Sequence, residues 1–316
     1  MADNNAVPTY TTDNKAGGNQ IALAEAFLPV LDEVYRRSSR SVFLDTAPSR
    51  VRFDGANAVS IFKTEMSGLG NYDRNKGFLT GDVTGTWEKK TLSQDRGRGF
   101  LVDAMDNEET VGMAFGNLAG EFLRTQVVPE IDAYTFAKLA STSGILSGTA
   151  ADLTASSDVP ALISEAEYQM AEAEAGGEGT ILFLSEDCYR RLKDGIVRTV
   201  ENDERGVDHA VEYYDGMRVV RVPSARFHTA ITLRDGITDG EGGFVPASGS
   251  YKINFLMVDP TSVIKVTRHA MPRIFAPGVT QSADAWLFQY RIYHDVFTLD
   301  NRVEGIYLHR GATALA

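Results

Sequence analysis

Between Arg50 and Phe100 the sequence asks for a long β-hairpin while giving it little to bury. Arg50-Val-Arg-Phe53 and Ala58–Met66 (AVSIFKTEM) read as strands. Val83–Ser93 alternates again, and Gly97–Val102 is a further short strand. The two long arms are joined by Ser67–Asp82, SGLGNYDRNKGFLTGD, which is polar and rich in glycine. A connection of this length is uncommon inside a compact domain and is functional or mobile where it occurs. The arms carry Lys63, Glu65, Glu88, Lys89 and Lys90 and few large apolar groups. A hairpin of that composition is not stable alone, so it must lie on a surface other than its own.

The longest helical signal follows it. In Asp106–Ser143, Asp106 or Asn107 can cap the N-terminus, with Glu108 and Glu109 in the favoured first turn. Val111, Phe115, Leu118, Phe122 and Leu123 form an apolar stripe, continued by Val127, Val128, Ile131, Tyr134 and Leu139 beyond Pro129. The proline predicts two collinear helices or one helix kinked near Thr125.

Ser147–Pro160 is rich in Ser, Thr, Ala and Gly and reads as a linker or loop. Residues 160–258 then read as an α/β unit. It comprises a helix over Pro160–Ala175, a buried strand Gly179–Leu184, and a helix capped by Ser185 and running to Val200. Strands at Met217–Val222 and Tyr251–Val258 follow, with a loop across Ala230–Pro246. Ser262–His309 is β-rich, with runs at Val263–Thr267, Ala285–Phe297 and Val303–Leu308. The fold class is therefore α+β.

At the other end, residues 1–19 are polar and read as a disordered tail. Extended, such a segment reaches on the order of 60 Å, enough to lie across a neighbouring molecule. Gln20–Arg37 has Ile21, Leu23, Ala24, Phe27, Leu28, Leu31 and Val34 mostly on one helical face, with Pro29 set to kink it. The first residues have neither the basic region nor the apolar run of a secretory signal. No apolar run approaches the length of a membrane span.

Charge and cysteine content exclude several function classes. The chain has 316 residues and a net charge of −12, which disfavours sequence-specific binding to a phosphate backbone. A single cysteine, Cys188, can form neither an intrachain disulfide nor a Cys-rich zinc site. Its place in the first turn of a helix would lower a thiol pKa, but Glu186 and Asp187 oppose that. His209, His228, His269, His294 and His309 include no pair at the i,i+3 or i,i+4 spacing of a local metal site. HExxH, GxxxxGK[ST], GxSxG and a GxGxxG after a strand are all missing. Asp235–Glu241, DGITDGE, resembles a loose cation loop but fails the EF-hand spacing, so a solvated loop is the better reading. No cofactor and no catalytic residue is assigned.

Asp95-Arg-Gly-Arg98 is a signal of another kind, because arginine pairs carboxylates through two parallel hydrogen bonds. Arg96 and Arg98 at the base of the hairpin admit two readings. One is an internal ion pair with Asp95, Asp103 or Asp106, and the other is a bridge between subunits.

The stretches GDVTGTWEKKTLSQDRGRGFLVDAMDNEET, EFLRTQVVPEIDAYTFAKLAS and AWLFQYRIYHDVFTLDNRVEGIYLH resemble major capsid proteins of tailed bacteriophages, particularly those of Gram-positive hosts. The resemblance implies the phage major-capsid fold: an N-terminal arm, an extended β-hairpin loop, a spine-helix peripheral domain and an axial domain. Projected onto this chain it implies an arm at 1–40, strands and extended loop at 41–103 with the tip at about 67–82, and the spine helix at 104–149. The axial domain would fall at 150–255, and peripheral-domain strands with the C-terminus at 256–316.

It further implies pentamers and hexamers of this one chain closing an icosahedral shell around double-stranded DNA, with no sequence-specific contact and no membrane. The expected location is the virion, after synthesis in the host cytoplasm. The short arm implies a separate scaffolding protein beside the portal. Candidate contacts between subunits are Lys63, Glu65, Tyr72, Arg74, Lys76, Trp87, Lys89, Arg96 and Arg98. Some relatives crosslink through a lysine, but nothing marks one as reactive here. The rival readings are an encapsulin-like compartment, which shares the fold, and a small-molecule enzyme built on residues 150–258.

Overall fold

One strand, β14 (Ala285–Thr298), organises half of the molecule because both of its edges are used. Along one edge it pairs antiparallel with all of β4 (Gln94–Asp103), from Gln94 opposite His294 to Asp103 opposite Ala285. Along the other it pairs in succession with β13 (Arg273–Phe275) and β12 (Val263–His269). In the computed structural model of the protein the described residues are 33–46, 51–54, 58–69, 72, 74, 82–103, 113–154, 158–177, 179–195, 212–238, 240–269, 273–275 and 284–315.

A helix lies across this sheet. It begins as α1 (Met113–Phe122), passes through a π turn (Leu123–Val127) and continues as α2 (Val128–Ala140). The expected kink is thus a widened turn centred on Thr125. Pro129 has no N–H to give to the preceding turn, and the π turn lets the helix continue regardless. The Thr125 hydroxyl donates to the Glu121 carbonyl at 2.7 Å, satisfying an acceptor at the irregularity. Leu123, Val127, Val128 and Ile131 pack on Phe288, Tyr290 and Ile292 of β14. The expected caps at Asp106 or Asn107, and residues 1–32, lie outside the described residues.

The second half is a six-stranded mixed sheet in the order β5-β15-β11-β6-β8-β7. Its members are β5 (Leu146–Ser147), β15 (Ile306–Ala314), β11 (Tyr251–Val258), β6 (Ile181–Ser185), β8 (Met217–Val222) and β7 (Tyr213–Tyr214). All five residues of β6 are buried, because helices cover both faces of the sheet. On one side lie α3 (Val159–Glu172), capped by Asp158, and α4 (Glu186–Gly195). On the other, Phe136 and Leu139 of α2 pack against Phe183, Val222 and Leu256. Ser185 caps α4 as expected, accepting from Cys188 N at 3.2 Å.

Two expectations need correction. Val303–Leu308 is not a single strand: a 3₁₀ segment at Asp300–Gly305 precedes β15. That strand leaves the late β-rich run and enters the six-stranded sheet, between β5 and β11. β11 is buried from Ile253 to Val258, so it needs ladder partners on both edges, and β15 supplies one. Ala230–Pro246 is not all loop either. β9 (Ile231–Leu233) and β10 (Phe244–Pro246) form an antiparallel ribbon, and only its tip is irregular.

Buried charge joins the segment after the N-terminal region to this frame. Asp132 of α2, fully buried, accepts from Ser39 Oγ at 2.8 Å, Ser41 Oγ at 2.6 Å, Arg40 N at 2.9 Å and Arg226 Nη1 at 3.2 Å. Lys265 of β12, also buried, donates to Asp45 Oδ1 at 2.7 Å, Tyr35 Oη at 3.1 Å and the Ser41 carbonyl at 3.1 Å. Burial opposes its charge, yet Tyr35, Asp45 and Asp132 together hold its pKa above the ordinary lysine value.

Candidate assembly surface

The hairpin is formed by β2 (Ala58–Met66) and β3 (Val83–Thr91), paired throughout from Ala58 opposite Thr91 to Met66 opposite Val83. β1 (Val51–Phe53) pairs with β2 only from Val59 to Ile61, so it thickens the base and leaves the distal half two-stranded. Alternation sends side chains to two faces. One face carries Val59 and Ile61 at the base, buried with Val51 and Leu92 against Ile264 and Val266 of β12. The opposite face carries Phe62 beside Trp87 and, further out, Met66 beside Val83.

Four large apolar side chains on that outer face are exposed. Phe62 is 50% exposed, Trp87 55%, Val83 69% and Met66 73%. The Phe62 and Trp87 rings lie 5.1 Å apart and tilted by 54°, so they support each other while presenting their remaining surface to solvent. A Cβ on Gly85 would stand 2.7 Å from the Phe62 ring, and the glycine leaves room for the ring to lie over β3.

The base of the hairpin is held firmly. Between β3 and β4 the chain turns through Leu92 and Ser93. Ser93 N donates to Asp295 Oδ2 at 2.8 Å, and the Tyr134 hydroxyl donates to Asp295 Oδ1 at 2.9 Å. A carboxylate of β14 thereby ties the corner to the long helix.

The residues singled out in the sequence fall into distinct settings. Trp87 lies on the outer face, and Lys89, exposed, lies opposite Ser60 near its base. Lys63 is half-buried on the anchored face, and Glu65 pairs opposite Thr84 in the ladder. Tyr72 and Arg74 are exposed in the tip, while Lys76 lies outside the described residues. Lys90 pairs with Glu88 on β3 itself.

Arg96 and Arg98 point to one side of β4, toward a cleft of about 860 Å³. It lies between β4, the long helix and the ribbon tip. Arg96 forms a two-pronged pair with Glu130 of α2, at 2.7 and 3.2 Å. Arg98 donates to the carbonyls of Gly240 and Glu241 at 2.8 and 3.2 Å. The internal partners differ from those the sequence suggested. Asp95 instead pairs with Arg291 across the ladder, at 2.8 and 2.5 Å. Glu130 sits a helix away in sequence and the acceptors of Arg98 are main-chain atoms, so no spacing could have marked either.

Among the described residues the candidate groups for an enzyme lie apart. Cys188 is fully buried, and burial together with Asp187 pushes its thiol up to about 12. His228, His294 and His309 are buried in separate places. Among the described residues no group of three or more His, Cys, Asp or Glu side chains could hold a metal ion.

The described residues form two sheets with helices packed on them and a β2–β3 hairpin held at its base. No protein-family model and no curated protein sequence matches the chain. The fold does match solved structures. One from Mycobacterium phage Che8 covers 98% of this chain and 98% of its own, with a TM-score of 0.54 and 14% identity. The capsid of an empty GTA particle covers 98% and 96%, with a TM-score of 0.53 and 12% identity. The bacteriophage PhiM1 mature capsid covers 82% and 83%, with a TM-score of 0.50 and 12% identity. The chain has the phage capsid fold along nearly its whole length.

Proposed function

We propose that this chain is the major capsid protein of a tailed phage, with copies assembling into pentamers and hexamers that close an icosahedral shell around double-stranded DNA. The carrying observation is the distal half of the hairpin. It presents Phe62, Trp87, Met66 and Val83 to solvent, on two strands with no layer of their own beneath that face. A cluster of exposed apolar side chains marks an interaction surface, and a hairpin held at its base is placed to reach a neighbour.

In this reading residues 1–40 are the N-terminal arm and the β2–β3 hairpin is the extended loop. The helix through the π turn is the spine, the β4–β14 sheet is peripheral, and the axial domain at 150–255 has α3, α4 and the strands β6, β7, β8 and β11 as its core, with β5 and β15 joining its sheet from outside those bounds. The contact is heterologous, so each subunit offers its hairpin to the next and the ring closes by rotation. Individual contacts need only be modest, because a closed shell multiplies them. A scaffolding protein and a portal complete the assembly. The acidic balance of the chain, −12, fits a shell that encloses DNA without reading its sequence. No described helix is long and apolar enough to cross a membrane.

Expression of the chain followed by size-exclusion chromatography and negative-stain imaging tests the proposal. Shells, or rings of five and six, support it; a discrete small oligomer with substrate turnover would favour an enzyme. An enzyme-cargo compartment would share the particle morphology but carry protein in place of DNA, so the nucleic-acid content of particles from infected cells separates those two.

A further inference from the structure

Two sequence motifs that stand far apart, DRGR at the start of β4 and DGITDGEGG between β9 and β10, meet in the structure. In the acidic loop Asp235 folds back on its own turn, while Glu241 is exposed and faces Arg234 at 3.8 Å. Asp235 Oδ1 accepts from Ile237 N at 2.8 Å and Thr238 N at 2.9 Å, and Oδ2 accepts from Thr238 Oγ1 at 2.8 Å. Against the main chain of this loop lies the guanidinium of Arg98, which donates to the Gly240 carbonyl at 2.8 Å and the Glu241 carbonyl at 3.2 Å. The glycines make the fit possible. Gly236 and Gly242 have φ of 72° and 71°, and a Cβ on either would stand 3.0 or 3.2 Å from Arg98 Nη1. The positive φ at both positions favours glycine, and the missing side chains let the loop lie close to the guanidinium.

The neighbouring arginine makes a different kind of bond. Arg96 is half-buried and meets a carboxylate, Glu130, with only a long contact of 3.4 Å to the Gly243 carbonyl. Charge on both partners and partial burial make that pair the stronger and more permanent one. Arg98 is exposed, and its partners among the described residues are main-chain carbonyls, which water can satisfy equally well. The two attachments join parts that belong to different layers. The ribbon follows β8 and precedes β11 of the six-stranded sheet, whereas β4 lies in the β14 sheet and continues directly from the hairpin.

We propose that Arg98 and the glycine-rich ribbon tip form a releasable strap between the six-stranded half and the strand that carries the hairpin. Arg96–Glu130 is the fixed pivot beside it, and the strap opens when the hairpin must change its angle. Its existence stands on the contacts alone. Its use, letting one sequence fit neighbours in differently angled positions of a shell, rests on the proposed function.

Hydrogen exchange on the purified chain reads the strap directly. In Arg98→Ala, amides at 236–243 should exchange about tenfold faster, while β6 and β11 keep their protection. Arg98→Lys should fall between the two, since an ammonium lacks the planar fork. Gly236→Ala, which blocks the socket without touching β4, should loosen the same amides. Unchanged exchange in Arg98→Ala overturns the strap. Shells of mixed size or incomplete closure from Arg98→Ala support its use, and uniform normal shells from that variant overturn it. Failure of the unaltered chain to form shells when expressed together with its scaffolding protein would count against the proposed function while leaving the exchange result to decide the strap.

Discussion

Ser41 and Asp132 are joined twice: Ser41 Oγ donates to Asp132 Oδ1 at 2.6 Å and Ser41 N to the same oxygen at 3.1 Å. The carboxylate is fully buried and also faces Arg226, so it fastens the 39–45 segment and the loop after β8 to the middle of α2. Asp132→Ala leaves Arg226 and two backbone N–H groups without their acceptor. It should cost about 3–5 kcal/mol, read by denaturant unfolding of the purified chain.

His309 should make stability sensitive to acid. Its ring is buried, stacks on Phe255 at 4.9 Å, and lies with Nδ1 3.1 Å from Asn254 Nδ2. Burial lowers its pKa below the ordinary histidine value. A lowered folded pKa means that the unfolded chain takes up the proton first as pH falls. Stability is therefore full above about pH 6.5 and declines below it, toward the folded pKa. Thermal melts between pH 7 and 5 should show the decline, and His309→Gln should reduce it, the remainder coming from His228, whose pKa burial also lowers.

Cys188 should be inert in the native state. Its thiol lies against α3 and β6 with no exposed surface and a pKa pushed up to about 12. A thiol reagent at pH 8 should label it only after denaturation, and rapid labelling of the folded chain would contradict its burial.

Periodicity made much of this fold legible. Ala58–Met66, the β6 run and the proline break near Thr125 are local patterns, and the chain realises them where they fall. The hairpin was visible through what it lacked, an apolar layer beneath both arms. What stayed hidden was non-local. β15 looks no different from the strands before it, and only the empty edge of β11 decides that it changes sheet. Glu130 and the carbonyls of Gly240 and Glu241 become partners of the DRGR arginines only after two layers are stacked. The outer face of the hairpin was partly legible. Trp87 stood out by itself, whereas its pairing with Phe62 follows from register.

The Phe62–Trp87 face should matter to assembly and not to folding. Phe62→Ser with Trp87→Ser removes two half-exposed rings from a strand pair whose base is anchored elsewhere by Val59, Ile61 and Leu92. The monomer should lose at most about 1 kcal/mol, because exposed positions contribute little. The same variant should fail to sediment as particles, since these rings are the natural anchors of the contact.

The central claim, that the hairpin builds the shell by lying on a neighbour, is tested most directly by deleting Asn71–Thr80 and imaging the product by electron microscopy beside the intact chain. The predicted result is a soluble chain with unchanged circular dichroism that forms no stable shells, under conditions where the intact chain does. Normal shells from the shortened chain would contradict it.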